Sequence, residues 1–169
     1  MIARKVCMLG SFAVGKTSLV RRFVESLFSE TYQTTVGVKV DKKVVEVDGN
    51  PVTLVLWDIQ GVEENEPLRR SYLRGAHGYV LVCDGTRGET LAQCLEIADK
   101  AKTTIGDVPS LLLVNKADIK EQWEIPAEVL DGLRGKGWRI LETSARSGQN
   151  VDQAFQILGA AMDSSTINS

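Results

Sequence analysis

The sequence predicts a three-layer α/β fold built on a six-stranded, mostly parallel sheet with helices on both faces. Three observations support this prediction. Short apolar runs of strand length alternate with segments of helical periodicity from one end of the chain to the other. An Asp-Gly turn at residues 48–49 joins two strand-like runs, which predicts one antiparallel hairpin. Neither an internal repeat nor a low-complexity linker interrupts this order.

The first part of the chain predicts a strand, a helix and the hairpin. Residues 6–9 form a short apolar run that stops at Gly10, and a turn then leads into the helical segment Lys16–Glu25. Residues 38–48 alternate in part between apolar and polar side chains, and residues 52–57 follow directly after the turn. We therefore expect these two strands to be antiparallel neighbours, and the other strands of the sheet to be parallel.

Two almost wholly apolar runs in the middle of the chain, residues 79–83 and 111–114, are typical of strands buried on both faces of a parallel sheet. Between them, Thr86 and Glu89 have the spacing of a capping box. We expect a helix of about fifteen residues after this box, because the apolar residues that follow keep helical spacing.

The last third of the chain predicts two helices and one strand. Pro126 suits the first turn of a helix that continues to Leu133. Residues 139–141 form a last short strand, and we expect Asn150 to cap a final helix with one apolar stripe. A polar tail follows at residues 163–169.

Length, composition and charge indicate one globular domain. The 169 residues, 43% hydrophobic and 25% charged, are close to the average of globular proteins, so we expect residues 1–169 to form one domain with a core at about 3–162. With 20 Lys and Arg against 22 Asp and Glu, the chain lacks the basic surplus typical of nucleic-acid binding. No apolar run approaches the roughly 20 residues of a membrane helix, and lipidation motifs are absent. We expect a cytoplasmic monomer without a direct membrane anchor.

The cysteines and the single histidine argue against two kinds of site. Cys7, Cys83 and Cys94 have no C-x-x-C spacing, and we expect them to be reduced and buried. His77 has no cysteine pair near it in the sequence, which argues against zinc. As the only histidine, it would also have to be the only base of a catalytic triad.

Residues 10–17, with the sequence GSFAVGKT, match the phosphate-binding pattern G-x-x-x-x-G-K-[ST] at every fixed position. The segment lies between a predicted strand and a predicted helix, where backbone N–H groups and the helix N-terminus can hold phosphate. Lys16 would bring a positive charge to the β- and γ-phosphates, and the Thr17 hydroxyl would bind Mg²⁺. The sequence therefore predicts binding of a nucleoside triphosphate with Mg²⁺. The residues expected around the phosphates are Gly10, Ser11, Phe12, Ala13, Val14, Gly15, Lys16, Thr17 and Ser18.

The base is indicated by the motif Asn-Lys-Ala-Asp at residues 115–118. It directly follows the apolar run 111–114, which places it at the carboxyl end of a parallel strand, where such sheets bind ligands. The carboxylate of Asp118 can accept hydrogen bonds from N1–H and from the exocyclic amine of guanine. Adenine does not offer this pair of donors, so the motif predicts guanine.

With these motifs the chain resembles the Ras-like small GTPases, and among them the Rab-type branch. The resemblance extends from Val6 to about Met162 and includes W-D-x-x-G at residues 57–61, the run at residues 71–78 and E-T-S-A at residues 142–145. It implies a P-loop G-domain fold with about five helices. It also implies a switch that binds GTP or GDP with Mg²⁺, hydrolyses GTP, and meets effector, activator or exchange proteins.

The resemblance also implies roles for individual residues around the base. Asn115 and Asp118 would hold guanine, and Lys116 would lie along it. The backbone N–H of Ala145 would meet the guanine carbonyl, and Phe28 would pack against the ring. Ser144 and Arg146 belong to the same set, and Arg146 stands where the family usually has Lys.

The segment at residues 32–37 resembles the first switch of the family. Thr35 would then bind Mg²⁺ and reach the γ-phosphate through its amide, and its spacing from Tyr32 favours it over Thr34. Asp58 would hold Mg²⁺ through water, and the N–H of Gly61 would sense the γ-phosphate. The implied catalytic residues are Lys16, Thr35, Gly61 and Gln60, and the implied metal-binding residues are Thr17, Thr35 and Asp58.

Hydrolysis is where this chain departs from the family. Val62 stands where the family has the glutamine that orients the attacking water, and valine has no donor or acceptor. Gln60 is a possible substitute, whereas Glu63 and Glu64 would be repelled by the γ-phosphate. Phe12 adds a bulky ring where the family has a small residue. We therefore expect slow intrinsic hydrolysis.

Other interpretations stay open at this point. One is a constitutively GTP-bound interaction module with negligible hydrolysis, and another is normal hydrolysis with an activator that brings its own catalytic residue. A nucleotide kinase of the same sheet type lacks support, because it leaves residues 115–118 unexplained. The long cysteine-ended tail of the Rab branch is also missing, which fits a bacterial or soluble relative, a domain of a larger protein, or a chain without its tail.

Overall fold

The computed structural model describes residues 2–25, 38–59 and 70–167. The strands in these ranges are β1 (Ile2–Gly10), β2 (Val38–Val47), β3 (Asn50–Ile59), β4 (Gly78–Asp84), β5 (Ser110–Asn115) and β6 (Ile140–Thr143). The helices are α1 (Lys16–Glu25), α2 (Arg70–Leu73), α3 (Glu89–Ile105), α4 (Ala127–Gly135) and α5 (Val151–Ile167), with a 3-10 helix at Ala117–Gln122. Of these helices, none has both the length and the hydrophobicity needed to cross a bilayer.

The six strands form one sheet in the order β2-β3-β1-β4-β5-β6. β2 runs antiparallel to β3, and all other neighbouring strands are parallel. The β2–β3 turn has positive φ angles at Asp48 (51°) and Gly49 (80°), as the tight hairpin turn with Asp-Gly requires. The predicted fold class is therefore confirmed, including its single antiparallel strand.

Two hydrophobic cores cover the two faces of the sheet. Successive side chains of a strand point to opposite faces, so β1 places Cys7 in one core and Met8 in the other. The first core is completed mainly by α3 and the second by α1 and α5. In the second core the rings of Phe23 and Phe155 stack with centroids 4.1 Å apart. All three cysteines are buried and free, as predicted.

The start of α3 differs from the prediction. The helix begins at Glu89, but the residue before it, Gly88, makes no side-chain capping bond. Thr86 does not form the predicted capping box, because Gly88 rather than Thr86 directly precedes the first helical residue, and a capping hydroxyl oxygen accepts from the second or third helical N–H. The Thr86 hydroxyl instead donates to Oδ1 of the buried Asp84 carboxylate at 2.7 Å.

One boundary near the C-terminus shifts, and one predicted capping side chain makes a different contact. The last strand lies at Ile140–Thr143 rather than at residues 139–141. Asn150 directly precedes α5, as predicted, but its side-chain amide donates to the Glu142 carbonyl at 2.8 Å. This side chain therefore joins the start of α5 to β6.

The packing of Phe155 predicts a large stability effect at one position of α5. Phe155 is fully buried against Phe23, so the substitution Phe155→Ala is expected to lower the free energy of unfolding by about 3–5 kcal/mol. Ile157 is 39% exposed on the same helix, and Ile157→Ala is expected to cost less than about 1 kcal/mol. Urea unfolding of the two variants measures the difference, and equal losses would contradict this description of the core.

Candidate functional site

The candidate site lies at the carboxyl edge of the parallel strands. The loop at residues 10–17 follows β1, and Asp84, Asn115 and Thr143 are the last residues of β4, β5 and β6. These three residues are register partners in neighbouring strands. Because parallel strands end at the same edge of a sheet, their connections meet there, and the two motifs found in the sequence become neighbours.

Asn115 fixes the loop at residues 10–17. Its buried side-chain amide donates to the Val14 carbonyl at 3.1 Å, and its Oδ1 accepts from the Thr143 hydroxyl at 3.3 Å. Gly15, with φ 101°, makes this contact possible, since a Cβ there would lie 2.2 Å from Asn115 Nδ2. The amide nitrogen and the amide oxygen of Asn115 therefore both make hydrogen bonds that hold neighbouring parts of the site in place.

Lys16, Thr17 and Asp58 form a charged and largely buried group beside this loop. Lys16 Nζ lies 3.8 Å from Asp58 Oδ1, and the Thr17 hydroxyl donates to Asp58 Oδ2 at 2.6 Å. Burial lowers the pKa of Lys16, and the Asp58 carboxylate opposes that shift. An anion placed at the Lys16 ammonium would favour its charged form in the same way.

The same group has the chemistry of a magnesium site. Within the described residues, Asp58 Oδ1 is a buried oxygen without a hydrogen-bond partner. A carboxylate with an open oxygen and a neighbouring hydroxyl are hard oxygen donors of the kind that Mg²⁺ prefers. Asp58 and Thr17 therefore fit the ion that the sequence predicts.

A cavity of about 440 Å³ opens beside the Asn-Lys-Ala-Asp motif. Asp118 lines it, and the Ser144 hydroxyl donates to Asp118 Oδ1 at 2.8 Å, which fixes the carboxylate. A planar base with two adjacent donors fits such a carboxylate. The lining residues are Gly15, Ser18, Arg21, Arg22, Asn115, Lys116, Asp118, Ile119, Ala145 and Arg146.

Asp84 lies within the candidate site, although it was not predicted from the sequence. Its carboxylate is fully buried at the end of β4 and accepts from Lys116 Nζ at 2.7 Å and from Arg87 Nε at 3.1 Å. Thr86 adds hydrogen bonds from its hydroxyl and its backbone N–H. Burial alone would raise the pKa of Asp84, but the bonds from Lys116, Thr86 and Arg87 lower it below its ordinary value. Its place at the carboxyl end of an apolar strand could have predicted that Asp84 lies at this edge of the sheet.

Trp123 holds the backbone of the base-binding loop. Its indole N–H donates to the Lys116 carbonyl at 2.9 Å, and Lys116 itself has a φ of 75°, which is uncommon for a residue with a Cβ. The ring also covers Gly85, where a Cβ would lie 2.2 Å from the indole. The loop after the 3-10 helix thus supports an otherwise unfavourable backbone conformation.

The structure brings together most of the site residues predicted from the sequence. The loop at residues 10–17, Asp58, the motif at residues 115–118 and the segment at residues 144–146 all meet at one edge. The cavity lining also includes three residues that were not predicted, Arg21, Arg22 and Ile119. The two arginines follow Thr17 and Ser18 by one helical turn of α1, and this spacing could have predicted that they face the site. The predicted residues that lie outside the described ranges are Phe28, Tyr32, Thr34, Thr35, Gln60, Gly61, Val62, Glu63 and Glu64.

Comparison with known proteins agrees with this geometry. The Ras family matches residues 5–164 of the chain. The chain is 34% identical to Ras-related protein RABD2a of Arabidopsis thaliana over 160 residues, which cover 94% of this chain and 79% of that protein. It is 36% identical to Ras-related protein Rab-13 of Mesocricetus auratus over 156 residues, which cover 91% and 77% of the two chains. Rab-13 of Bos taurus gives the same values.

The contact between Gly15 and Asn115 predicts the effect of one added methyl group. Gly15→Ala would force either the loop or Asn115 to move, and it would place a Cβ in a conformation that costs roughly 1–3 kcal/mol. We expect the affinity for Mg·GDP to fall about tenfold to a hundredfold, measured by equilibrium titration. Gly132→Ala in α4, where a Cβ meets nothing within 4 Å, is the control and should leave the affinity unchanged.

Proposed function

The chain belongs to the Ras family of small GTPases and to its Rab branch, and from that premise we propose a GTP-binding switch whose own hydrolysis of GTP is slow. The observation that carries the proposal is the meeting of a phosphate-binding loop, a buried Lys16 and the cavity at Asp118 on one edge of the sheet. Members of the family bind guanine nucleotides.

Nucleotide binding divides between the two ends of the site. At the base, the fixed Asp118 carboxylate accepts hydrogen bonds from N1–H and the exocyclic amine of guanine, and Lys116 lies along the ring. At the phosphates, the backbone N–H groups of residues 10–17 and the Lys16 ammonium provide the positive potential. Ala145, Arg146 and Phe28 complete the base site in this proposal.

Mg²⁺ would be held by Thr17 and Thr35, and by Asp58 through water. When bound, the ion would supply positive charge that stabilises the negative charge of the phosphates during hydrolysis. The chain's own contribution is to hold these oxygens in place, since Thr17 is already bonded to Asp58 at 2.6 Å. Thr35 and the Gly61 N–H would be ordered by the γ-phosphate and released without it, which is the switching step.

Slow hydrolysis follows from two side chains. Val62 cannot orient a water molecule, and Gln60 is the remaining neutral polar neighbour in that segment. The ring of Phe12 is 69% exposed at the phosphate-binding loop, so it can crowd both a water-orienting residue and an arginine from an activator. A water-orienting glutamine and an arginine supplied by an activator raise the rate of GTP hydrolysis by a factor of about 10³–10⁵ in related enzymes.

Val62 and Phe12 also favour a second candidate function. A chain with negligible hydrolysis would remain GTP-bound and act as a constitutive interaction module for its partners. In either case the partners would bind to the two switch segments. A separate alternative is normal hydrolysis with an activator that brings its own catalytic residue. A single domain at residues 1–169, a monomer and a cytoplasmic location remain predictions.

Single-turnover hydrolysis of Mg·GTP distinguishes slow from normal turnover. The intrinsic rate of Ras, about 3–5 × 10⁻⁴ s⁻¹, sets the scale. We expect the wild-type rate to lie well below it and Val62→Gln to raise the rate, because glutamine can orient the attacking water. A wild-type rate at or above the Ras value would contradict slow hydrolysis, and the water would then be oriented by Gln60 or another group. An undetectable rate would favour the constitutive module.

Substitution of Asp118 tests the choice of base. In Asp118→Asn, an amide donor faces the two donors of guanine, and two charge-assisted hydrogen bonds are lost. We expect the affinity for GDP to fall at least about a hundredfold and the affinity for xanthosine diphosphate to rise, since xanthine presents an oxygen in place of the amine.

Competition titration with the two nucleotides measures both affinities. Asp131→Asn, at an exposed residue of α4, is the matched control and should behave like the wild type. Unchanged GDP affinity in Asp118→Asn would exclude this carboxylate from base recognition.

A further inference from the structure

One chain of hydrogen bonds crosses the site from the base-binding loop to the phosphate-binding loop. Asp84 Oδ2 accepts from Lys116 Nζ at 2.7 Å and from Arg87 Nε at 3.1 Å. The same guanidinium donates from Nη2 to the Phe12 carbonyl at 2.9 Å. Arg87 is therefore bonded to the buried carboxylate with one nitrogen and to the backbone of the phosphate-binding loop with another.

The position of Arg87 is fixed by the backbone around it. Its N–H donates to the Asp84 carbonyl at 3.0 Å, and its carbonyl accepts from the Thr90 hydroxyl at 2.7 Å. The next residue, Gly88, donates its N–H to Glu124 Oε1 at 2.8 Å. With both the backbone and the guanidinium held, Arg87 is a rigid support for the atom that it contacts.

The atom that Arg87 contacts controls the direction of a peptide plane in the loop. In a planar trans peptide the carbonyl and the following N–H point in opposite directions. A fixed Phe12 carbonyl therefore fixes the Ala13 N–H as well. Ala13 has a φ of 60°, an uncommon conformation for a residue with a Cβ, so this peptide needs external support. A carbonyl turned toward bound phosphate would repel it.

We propose that Arg87 is a positioning residue for nucleotide binding, which holds the Phe12–Ala13 peptide so that its N–H faces the phosphates and its carbonyl does not. Arg87 acts through this peptide, and Asp84 ties the support to Lys116 in the base-binding loop. The side chain is 37% exposed, so the guanidinium also adds positive charge beside the phosphates. The proposal rests on the guanine-nucleotide binding proposed above.

Arginine is needed here for its shape as well as for its charge. A guanidinium presents two donors to two acceptors in a fixed fork, whereas lysine has one flexible ammonium. Arg87→Lys can keep the ion pair with Asp84, but it cannot also hold the Phe12 carbonyl in the same geometry. Arg87→Lys therefore distinguishes two roles of Arg87, which are support of the Phe12 carbonyl and neutralisation of the buried Asp84 carboxylate.

The test compares Arg87→Ala and Arg87→Lys with the wild type, all loaded with Mg·GDP. We expect both variants to release GDP about ten times faster than the wild type, as the loss of one hydrogen bond to a charged donor predicts. We also expect both to move the ³¹P resonance of the β-phosphate of bound GDP. If only the positive charge of residue 87 mattered, Arg87→Lys would show the wild-type rate of GDP release and the wild-type ³¹P spectrum.

Wild-type GDP release and a wild-type spectrum in Arg87→Lys would overturn the proposal, whether Arg87→Ala behaves like the wild type, releases GDP faster or fails to fold. Arg134→Ala removes an exposed arginine that pairs with Asp131 on α4, and it should match the wild type. If the wild-type protein itself fails to bind GDP, the proposed function fails, whereas a failure confined to the Arg87 variants leaves that function intact.

Discussion

The contact between Asn115 and the loop at residues 10–17 is the constraint on which the rest of the site depends. The amide of Asn115 reaches the Val14 carbonyl only because Gly15 has no side chain. Through this contact β5 fixes the phosphate-binding loop, and through the Thr143 hydroxyl it also fixes the end of β6. The proposed base site and the proposed phosphate site therefore share one support, and a movement of either loop would disturb this hydrogen bond.

Burial of charge gives the site its electrostatic character. Lys16, Asp58 and Asp84 are all removed from water, which is costly unless each charge has a partner. The two carboxylates are satisfied in different ways. Asp84 is surrounded by hydrogen-bond donors, and its pKa is lowered despite burial, whereas Asp58 retains a buried oxygen without a hydrogen bond among the described residues. The first carboxylate is thus structural, and the second is suited to a cation.

In the proposed function, binding and hydrolysis depend on separate parts of this chain. Three of the residues proposed to bind the nucleotide are held by contacts within the fold, since Lys16 lies beside Asp58, Asn115 donates to Val14 and Asp118 accepts from Ser144. Hydrolysis requires an oriented water molecule, and Val62 offers no group for it. In the proposed function, Val62 slows turnover and nucleotide affinity is kept, because the contacts of Asn115 with Val14, of Lys16 with Asp58 and of Asp118 with Ser144 do not involve Val62.

The sequence alone predicted the fold class, which the structure confirms, and the residues of both halves of the proposed nucleotide site. Strand–helix alternation, the Asp-Gly turn and two short motifs are local patterns, and local backbone preference produces them directly. Sequence patterns failed at Thr86, because α3 begins at Glu89 and leaves Gly88, not Thr86, at the capping position. They also did not predict the role of Arg87. Its pair with Asp84, three residues away, is local, whereas the Phe12 carbonyl lies 75 residues away along the chain. That contact is decided by the order of the strands in the sheet, since the pairing of β1 with β4 brings the ends of these two strands together.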